Sequence, residues 1–344
     1  MEKLQQIRQT LQYIDARVPD ALRVALGLGN RVSPTPAPGE YDEVADFAAS
    51  LLQTPPPTED GDGPDADADD RGRTEPDAAA ASAPMTIDLA SCYVPLHDHD
   101  AHFGSAKAGV FGVADGVGAY ADDGVDASAF ARGLMTRASA EVAGLEPGAH
   151  VSPCALLQRA YDGTVESGAT GASTAVILSL AGNALDWAYI GDSGFVVLRD
   201  SKIVFLSTPQ RHLSLATRAK LLRFASTDAL RKQHLFSSRD PTFQLSAMAV
   251  NSDSVADAKS GQFAVRAGDV VVVGTDGLFD NILEEQLEVV VQMGTKLSFS
   301  PKNMADIIAG VAYERSKQTR SRRLRRGKPD DITVLVAFIV QSDL

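Results

Sequence analysis

The sequence predicts an α+β fold in which antiparallel sheets are flanked by helices. From Met85 onward, short runs of β-branched and apolar residues are separated by turn residues, with only a few helical segments between them. Strands that follow one another directly favour antiparallel pairing over a doubly wound parallel sheet, in which a helix separates successive strands. The residues before position 85 have a different character and are predicted to form separate regions.

The composition argues against a wholly disordered protein, a membrane-spanning protein and a nucleic-acid-binding protein. With 344 residues, of which 44% are apolar, the chain can bury a core and is not wholly disordered. No apolar run approaches the roughly 20 residues that a membrane-spanning helix needs. The N-terminus also lacks the basic-then-apolar pattern of a secretory signal, so we expect an intracellular protein without a membrane span. Cys92 and Cys154 have no zinc-binding spacing, and the net charge of −13 argues against nucleic-acid binding.

Residues 1–53 are predicted to form an N-terminal helical extension. The apolar stripe of its first helix repeats at alternating steps of three and four residues, at Leu4, Ile7, Leu11, Ile14 and Val18. Such helices bury their stripes against one another, against the main domain or against a partner protein. Basic residues in this region leave an organelle-targeting segment as the alternative, although transit peptides contain few acids and Glu2, Asp15 and Asp20 are present.

Residues 54–84 are rich in Pro, Asp and Ala and show no apolar periodicity. The part from 59 to 77 contains nine acids and two arginines. This composition predicts a disordered linker whose charges repel one another. Residues 85–344 are the third predicted region, a single folded domain.

Within residues 85–344, the strand candidates are short apolar runs bounded by turn residues. They cover residues 109–115, 173–180, 184–191, 195–200, 202–207, 262–266, 269–276 and 331–340. Two hairpin turns are predicted, Asp-Ser at 200–201 and Ala-Gly-Asp at 267–269. The helices predicted from apolar periodicity follow Val125, Pro153 and Lys302.

Several of these strands end or begin at aspartate, next to glycine or a second aspartate. The residues are Asp115-Gly116, Asp192, Asp276-Gly277 and Asp330-Asp331. If these ends converge, the carboxylates repel one another unless a cation lies among them. Oxygen ligands without thiolates select Mg²⁺ or Mn²⁺, and a neighbouring glycine lets the backbone approach closely. The alternative for any single Asp-Gly pair is an ordinary β-turn.

The order of these motifs resembles that of the metal-dependent type 2C protein phosphatases, the PPM family. The motifs are ADGVG (114–118), GASTAV (171–176), IGDSG (190–194), TDGLFDN (275–281) and KPDDITV (328–334). The resemblance covers roughly residues 85–342 and implies a four-layer α-β-β-α sandwich of two antiparallel sheets. It also implies hydrolysis of phosphoserine and phosphothreonine in phosphoprotein substrates with two Mn²⁺ or Mg²⁺ ions. Residues 85–344 would then be the phosphatase domain.

The resemblance also implies roles for individual residues. Asp115 corresponds to the carboxylate that bridges both metals, and Gly116 to the residue whose carbonyl binds the second. Asp276 and Asp330 correspond to the other ligands of the first metal, whereas Asp331 occupies a position that usually carries an amide. A weaker third metal site would combine Asp276 with Asp192. A hydroxide between the two ions would attack phosphorus in line, without a covalent enzyme intermediate.

The stretch LHDHDAHF (96–103) departs from the family pattern. Relatives have an acidic pair where this chain has His99 and Asp100, so one carboxylate is missing, and Asp100 is left to order water at the second metal. Pro95 occupies the place of a phosphate-binding arginine. Val117 occupies the place of a histidine that would protonate the leaving alkoxide, a pattern that resembles the organellar branch of the family.

Two histidines are candidates for that proton donor, His99 and His102, with a metal-bound water as the rival. His99 is also a candidate metal ligand or a partner of metal-bound water. The remaining alternative is a zinc site formed by His97, His99 and Asp100, but the sequence offers no clear fourth ligand.

Two further segments are unusual for this resemblance. Residues 213–238 are predicted to form basic amphipathic helices, either as a surface excursion or as a substrate-recognition flap. Residues 315–328 contain eight basic residues and would attract phosphorylated substrate, act as a nuclear-import signal or bind the acidic linker.

Two functions follow from the sequence. The first is an active serine/threonine phosphatase. The second is a catalytically weak or silent phosphatase-like subunit that binds a partner through its N-terminal helices. Through the organellar branch, the resemblance also implies a mitochondrial or plastid location, while cytoplasm and nucleus remain open.

Overall fold

The computed structural model describes residues 85–118, 124–145, 149–212, 241–248, 253–318 and 327–342. The predictions for residues 1–53 and 54–84 lie outside these ranges. So do the predictions for residues 213–238 and for most of the arginine-rich part of 315–328.

Two five-stranded sheets form the centre of the described domain, and all neighbouring strands within them pair antiparallel. The first sheet has the order β1 (Met85–Val94), β12 (Ile332–Gln341), β11 (Val270–Gly274), β7 (Gly194–Arg199), β8 (Lys202–Leu206). The second has the order β10 (Lys259–Ala264), β6 (Ala184–Ile190), β5 (Ala175–Ala181), β3 (Val110–Ala114), β2 (Ala101–Ser105). Two short strands, β4 (Ala172–Ser173) and β9 (Leu245–Ser246), pair separately.

Helices cover the outer face of each sheet. The described helices are α1 (Ala127–Ala143), α2 (Pro153–Glu166), α3 (Asp276–Phe279), α4 (Glu284–Lys296) and α5 (Pro301–Ser316). The apolar side chains of α1 and α2 pack on the second sheet, and those of α4 and α5 pack on the first. A third apolar cluster lies between the two sheets. The predicted four-layer α-β-β-α sandwich is therefore confirmed.

Strand β11 shows why the central strands are apolar on both faces. Val271 and Val273 point into the layer between the sheets, whereas Val270 and Val272 point toward α4 and α5. Because side chains alternate across a strand, a strand covered on both sides needs an uninterrupted apolar run rather than an alternating one.

The helix starts follow from ordinary capping chemistry. Ser152 and Ser300 accept hydrogen bonds from the backbone N–H groups of the first turns of α2 and α5, and each is followed by proline. Asp126 caps α1 in the same way. The three helices predicted from periodicity are confirmed at these positions. Helices α3 and α4, and strands β1 and β2, were not predicted from apolar periodicity.

One predicted hairpin is confirmed and the other is wrong. Residues Asp200 and Ser201 join β7 to β8 with φ angles of +51° and +62°, as expected for a type I′ turn. Residues 267–269 do form a tight bend, but β10 and β11 belong to different sheets. The chain changes sheets there because the Gly268 N–H donates to the Ile339 carbonyl and the Asp269 carbonyl accepts from the Ile339 N–H. The carboxylate of Asp269 also binds Arg199 of β7.

The strand ends that carry the aspartates meet at one edge of the sandwich. In the second sheet, the end of β3 pairs with the start of β2. In the first sheet, the end of β11 pairs with the start of β12. Asp115, Asp100, Asp276 and Asp330 therefore leave the two sheets at neighbouring positions. None of the helices in the described ranges is both long and apolar enough to cross a bilayer.

Candidate metal centre

A cluster of carboxylates lies where these strand ends meet. Asp115 is at its centre: burial raises the pKa of its carboxyl well above the ordinary value, and the charges of Asp100, Asp276, Asp192 and Asp330 raise it further. The structure thus brings together the five aspartates that the sequence predicted as site residues. Such a cluster attracts protons and cations, because a bound proton or cation reduces the repulsion between the carboxylates.

Asp100 belongs to this cluster and is held from one side only. Its Oδ2 accepts hydrogen bonds from Thr275 Oγ1 (2.8 Å) and Thr333 Oγ1 (2.7 Å), which come from the opposite sheet. Its Oδ1 is buried and has no hydrogen-bond partner among the described residues. Burial raises the pKa of Asp100 above its ordinary value, and the charge of Asp331 raises it further. A buried carboxylate oxygen without a partner is costly, so this atom lacks an expected donor or cation.

Asp192 joins the cluster from the turn between β6 and β7. Its Oδ2 accepts hydrogen bonds from Arg211 Nη2 (2.6 Å) and Thr242 Oγ1 (2.8 Å). Burial and the charge of Asp276 raise the pKa of Asp192 to about 6, although the guanidinium of Arg211 opposes the shift. This aspartate is therefore close to the other acids and already has a cationic partner.

Lys328 lies among the acids that follow β11 and precede β12. Its ammonium contacts Asp276 Oδ2 and lies 3.2 Å from both Asp280 Oδ2 and Asp330 Oδ2. Burial and the charge of Asp276 raise the pKa values of Asp280 and Asp330. Burial alone would lower the pKa of Lys328, but Asp276 and Asp280 raise it above its ordinary value. A positive charge at this point thus stabilises the ionised carboxylates.

Asp331 binds backbone N–H groups, whereas its neighbour Asp330 pairs with Lys328. Its carboxylate is buried and accepts four backbone N–H groups from residues 96–99, at 2.5–3.0 Å. These bonds tie the loop before β2 to the start of β12. Within the loop, Asp98 has a φ of +67° and its carboxylate binds Arg132 of α1. Asp331 therefore fixes the loop that leads into Asp100.

Two glycines of the cluster allow close backbone approach. A Cβ atom at Gly116 would lie 2.2 Å from the Ala127 carbonyl oxygen and 2.7 Å from that of His99. A Cβ atom at Gly277 would lie 1.8 Å from the carbonyl oxygen of Asp331. All three distances are shorter than non-bonded contacts allow, so no other residue fits at either position without a shift of the backbone.

The histidines of the opening stretch lie in different surroundings. His99 stacks on His97 with 5.6 Å between ring centroids, and a Cβ at Gly118 would lie 3.3 Å from the His99 ring. His102 lies between the sheets, where its Nε2 is 3.1 Å from Ser91 Oγ. Burial lowers the pKa of His102, with no contribution from a carboxylate. The structure thus places His99 beside the glycine-rich turn after Asp115, and it does not bring His102 to the acids.

The donor atoms at this edge are of the kind that hard divalent cations prefer. The donors are oxygen atoms, Asp100 has an oxygen without a partner, and a lysine ammonium stands where a cation is needed. Within the described ranges, no group of three or more His, Cys, Asp or Glu side chains is arranged so that it could hold a metal ion. Asp276, Asp280 and Asp330 surround the ammonium of Lys328 instead, and the zinc alternative has no such group either.

Several residues of the site were not predicted. Thr275 and Thr333 were missed because a threonine beside an acid carries no distinctive signal in sequence. Asp280 lies within the TDGLFDN motif and Lys328 begins KPDDITV, so the motifs contained them without indicating a role. Arg211 could be assigned only once the fold placed it against Asp192.

The four-layer sandwich with a carboxylate cluster at one edge defines the class of the PPM-type phosphatases. Protein phosphatase 2C 24 of Oryza sativa subsp. japonica is 46% identical over 355 residues, covering 99% of this chain and 100% of the relative. The PTC7 homolog of Xenopus laevis is 32% identical over 276 residues, covering 73% and 81%. No family model matches the chain.

Solved structures show the same fold. The photosystem II phosphatase PBCP superposes with a TM-score of 0.55 at 25% identity, covering 74% of this chain and 100% of that one. The catalytic domain of PstP, solved with two manganese ions, gives a TM-score of 0.51 at 22% identity, with 74% and 99% covered. The chain belongs to the protein phosphatase 2C (PPM) family of protein-serine/threonine phosphatases.

Proposed function

We propose that this phosphatase hydrolyses phosphoserine and phosphothreonine in proteins with two Mn²⁺ or Mg²⁺ ions at the carboxylate cluster. Asp115 would bridge the ions, the Gly116 carbonyl would bind one of them, and Asp276 with Asp330 would bind the other. The observation that carries this proposal is the convergence of five aspartates from both sheets around Asp115, whose pKa is raised by burial and by the other four.

When bound, the ions would supply an activated water as the nucleophile and neutralise charge on the phosphoryl oxygens. The chain itself positions the acids. Thr275 and Thr333 fix the orientation of Asp100, which we propose orders water through its other oxygen. Asp331 fixes the loop that leads into Asp100. Asp192 would contribute to a weaker third site together with Asp276, although Arg211 and Thr242 already bind it.

Protonation of the leaving alkoxide needs a separate group. The family resemblance implies that many members have a histidine two residues after the aspartate that corresponds to Asp115, where this chain has Val117. The ring of His99 lies beside Gly118, one residue further along. We propose that His99 protonates the leaving oxygen from this position, and that His102, which is bonded to Ser91, has no part in the reaction.

The test is phosphate release from a phosphothreonine peptide by the full chain. We expect release that requires Mn²⁺ or Mg²⁺, stops with a chelator and is abolished by Asp276→Asn. Asp162→Asn is the matched control, because Asp162 is an acid on α2 that binds only Gln158 among the contacts described. If the unsubstituted chain binds Mn²⁺ but releases no phosphate, the catalytically silent binding subunit is the correct function instead.

We propose in addition that the chain acts in a plastid or mitochondrion. The support is similarity: the relatives include a PTC7 homolog, and the solved neighbours include a photosystem II phosphatase. A fluorescent fusion of the full chain, compared with one that lacks residues 1–53, tests the location. Exclusive cytoplasmic or nuclear fluorescence of the full-length fusion would overturn it.

A further inference from the structure

Lys328 has no place in the mechanism described above, yet its ammonium occupies the acid cluster. It contacts Asp276 and lies 3.2 Å from both Asp280 and Asp330. Three carboxylates therefore lie within ion-pair distance of one ammonium. Two of them, Asp276 and Asp330, are the proposed ligands of one metal ion.

The backbone of Lys328 is held rigidly at this point. Asn281 accepts a hydrogen bond from the Lys328 N–H at 2.9 Å, and its Nδ2 donates to the Lys328 carbonyl at 2.7 Å. The same Nδ2 also donates to the carbonyl of Gly277. Asn281 thus fixes Lys328 against the turn that carries Asp276, so the side chain starts beside the site whatever its rotamer.

The side chain itself can move. The Lys328 side chain is 47% exposed. A lysine with this exposure reaches solvent by rotation about its own bonds, without any change in the backbone. The ammonium can therefore leave the cluster while the hydrogen bonds of Asn281 stay in place.

We propose that Lys328 is an internal counter-ion that competes with a divalent cation for Asp276 and Asp330. Without metal, its ammonium holds these carboxylates together against their repulsion. When a divalent ion binds the same oxygens, the ammonium swings toward solvent. The inference rests on the proposed function, since it takes these two acids to be metal ligands.

The competition follows from the shared atoms. An oxygen that donates a lone pair to a metal ion is less able to accept a hydrogen bond from an ammonium, and two cations at the same carboxylates also repel each other. Metal binding must therefore replace the contacts of Lys328. The apparent metal affinity is lowered by the free energy of those contacts, while the metal-free protein gains stability from them.

The experiment compares Lys328→Gln with the unsubstituted chain by calorimetric titration of the metal-free protein with Mn²⁺. Glutamine keeps most of the stem and removes the charge. We expect Mn²⁺ to bind about tenfold more tightly to Lys328→Gln, as for the loss of one charge-assisted contact. In a chelator, the thermal midpoint of Lys328→Gln should fall below that of the unsubstituted chain. Lys202→Gln is the matched control, because Lys202 pairs with Glu288 away from the cluster.

Lys328→Arg keeps the charge, so we expect its Mn²⁺ affinity to stay close to that of the unsubstituted chain. Equal or weaker binding by Lys328→Gln would overturn this inference alone, and so would equal tightening in Lys328→Arg. If Lys328→Gln does not fold, tighter binding by Lys328→Arg overturns the inference and unchanged binding supports it. If the unsubstituted chain binds no Mn²⁺ at all, both the proposed function and this inference fail.

Discussion

At the scale of single residues, Asp331 shows how one carboxylate organises a loop. It accepts the N–H groups of four successive residues, 96–99, and is buried while doing so. The family resemblance implies an amide at this position, and an amide has one acceptor oxygen rather than two. The carboxylate is therefore matched to this loop, whose last residue precedes Asp100.

We predict that Asp331→Asn lowers the free energy of unfolding by about 1–3 kcal/mol, because at least one buried N–H loses its acceptor. The measurement is denaturant unfolding of the metal-free full chain, with Asp162→Asn as the control. Unchanged stability would mean that the loop rearranges to satisfy its N–H groups elsewhere.

The second prediction at this scale separates the two histidines. We expect His99→Ala to lower kcat on a phosphothreonine peptide by roughly 10²-fold or more, as for loss of a general acid. The loss should be much smaller with p-nitrophenyl phosphate, whose leaving group needs no proton. His102→Ala should keep its activity per folded molecule, since its described contacts are the hydrogen bond to Ser91 and the ring of Tyr93. A uniform loss on both substrates would assign His99 a structural role.

The third concerns Cys92, whose pKa is raised from 9.0 to about 12, first by burial and then by the charge of Asp306. Between these values the folded protein keeps the thiol proton while the unfolded chain releases it. Stability should therefore fall as pH rises from 9 to 12, by up to ~1.4 kcal/mol per pH unit.

The measurement for Cys92 is the free energy of unfolding against pH. Cys92→Ala should remove this part of the slope, whereas Cys154→Ala, at a half-buried site, should leave it unchanged. Identical slopes in all three proteins would show that the thiol does not titrate differently in the folded state.

At the scale of elements, local chemistry decided which segments could be predicted. Helices α1, α2 and α5 combine a polar cap with an apolar stripe, and their positions followed from the sequence. Helix α4 contains three successive valines, a run that also fits a strand. Buried and exposed residues do not alternate regularly along strand β1. The strand is held in the sheet by its pairing with β12, which its own sequence does not reveal.

The turn from β7 to β8 gives a prediction at this scale. Ser201 has a φ of +62°, a conformation that costs a residue with a Cβ atom about 1 kcal/mol. We expect Ser201→Gly to raise the free energy of unfolding by about that amount, as measured by denaturant unfolding. Ser201→Ala keeps the Cβ atom and should give no gain. If both variants behave alike, the backbone conformation is not the cause.

At the scale of the whole molecule, the sequence predicted the acids of the site but not their partners. Asp115, Asp276 and Asp330 stand at the ends of apolar strands, and a sandwich of antiparallel strands brings such ends to a common edge. Two sets of contacts join segments that lie more than 45 residues apart in the sequence. They are the hydrogen bonds of Asp331 to residues 96–99 and the contact of Lys328 with Asp276. Contacts of this kind follow from the packing of the two sheets, which no local pattern encodes.

Because the acids come from both sheets, a bound divalent ion should tie the two halves of the sandwich together. Asp115 leaves the second sheet, whereas Asp276 and Asp330 leave the first. Repulsion among them opposes the closed arrangement in the absence of a cation. Metal should therefore stabilise the whole fold rather than one loop, and unfolding should remain a single transition.

We predict that Mn²⁺ at 100 times its dissociation constant adds about 2.7 kcal/mol to the free energy of unfolding for each site filled. A chelator should reverse the gain. The measurement is thermal unfolding of the full chain at increasing Mn²⁺, with NaCl at equal ionic strength as the control for general screening. Asp276→Asn should lose most of the response, since it removes a proposed ligand, while Asp162→Asn should keep it. A midpoint that rises equally with Mn²⁺ in Asp276→Asn would show that the stabilising ion binds elsewhere, and the two sheets would then be held together without the carboxylate cluster.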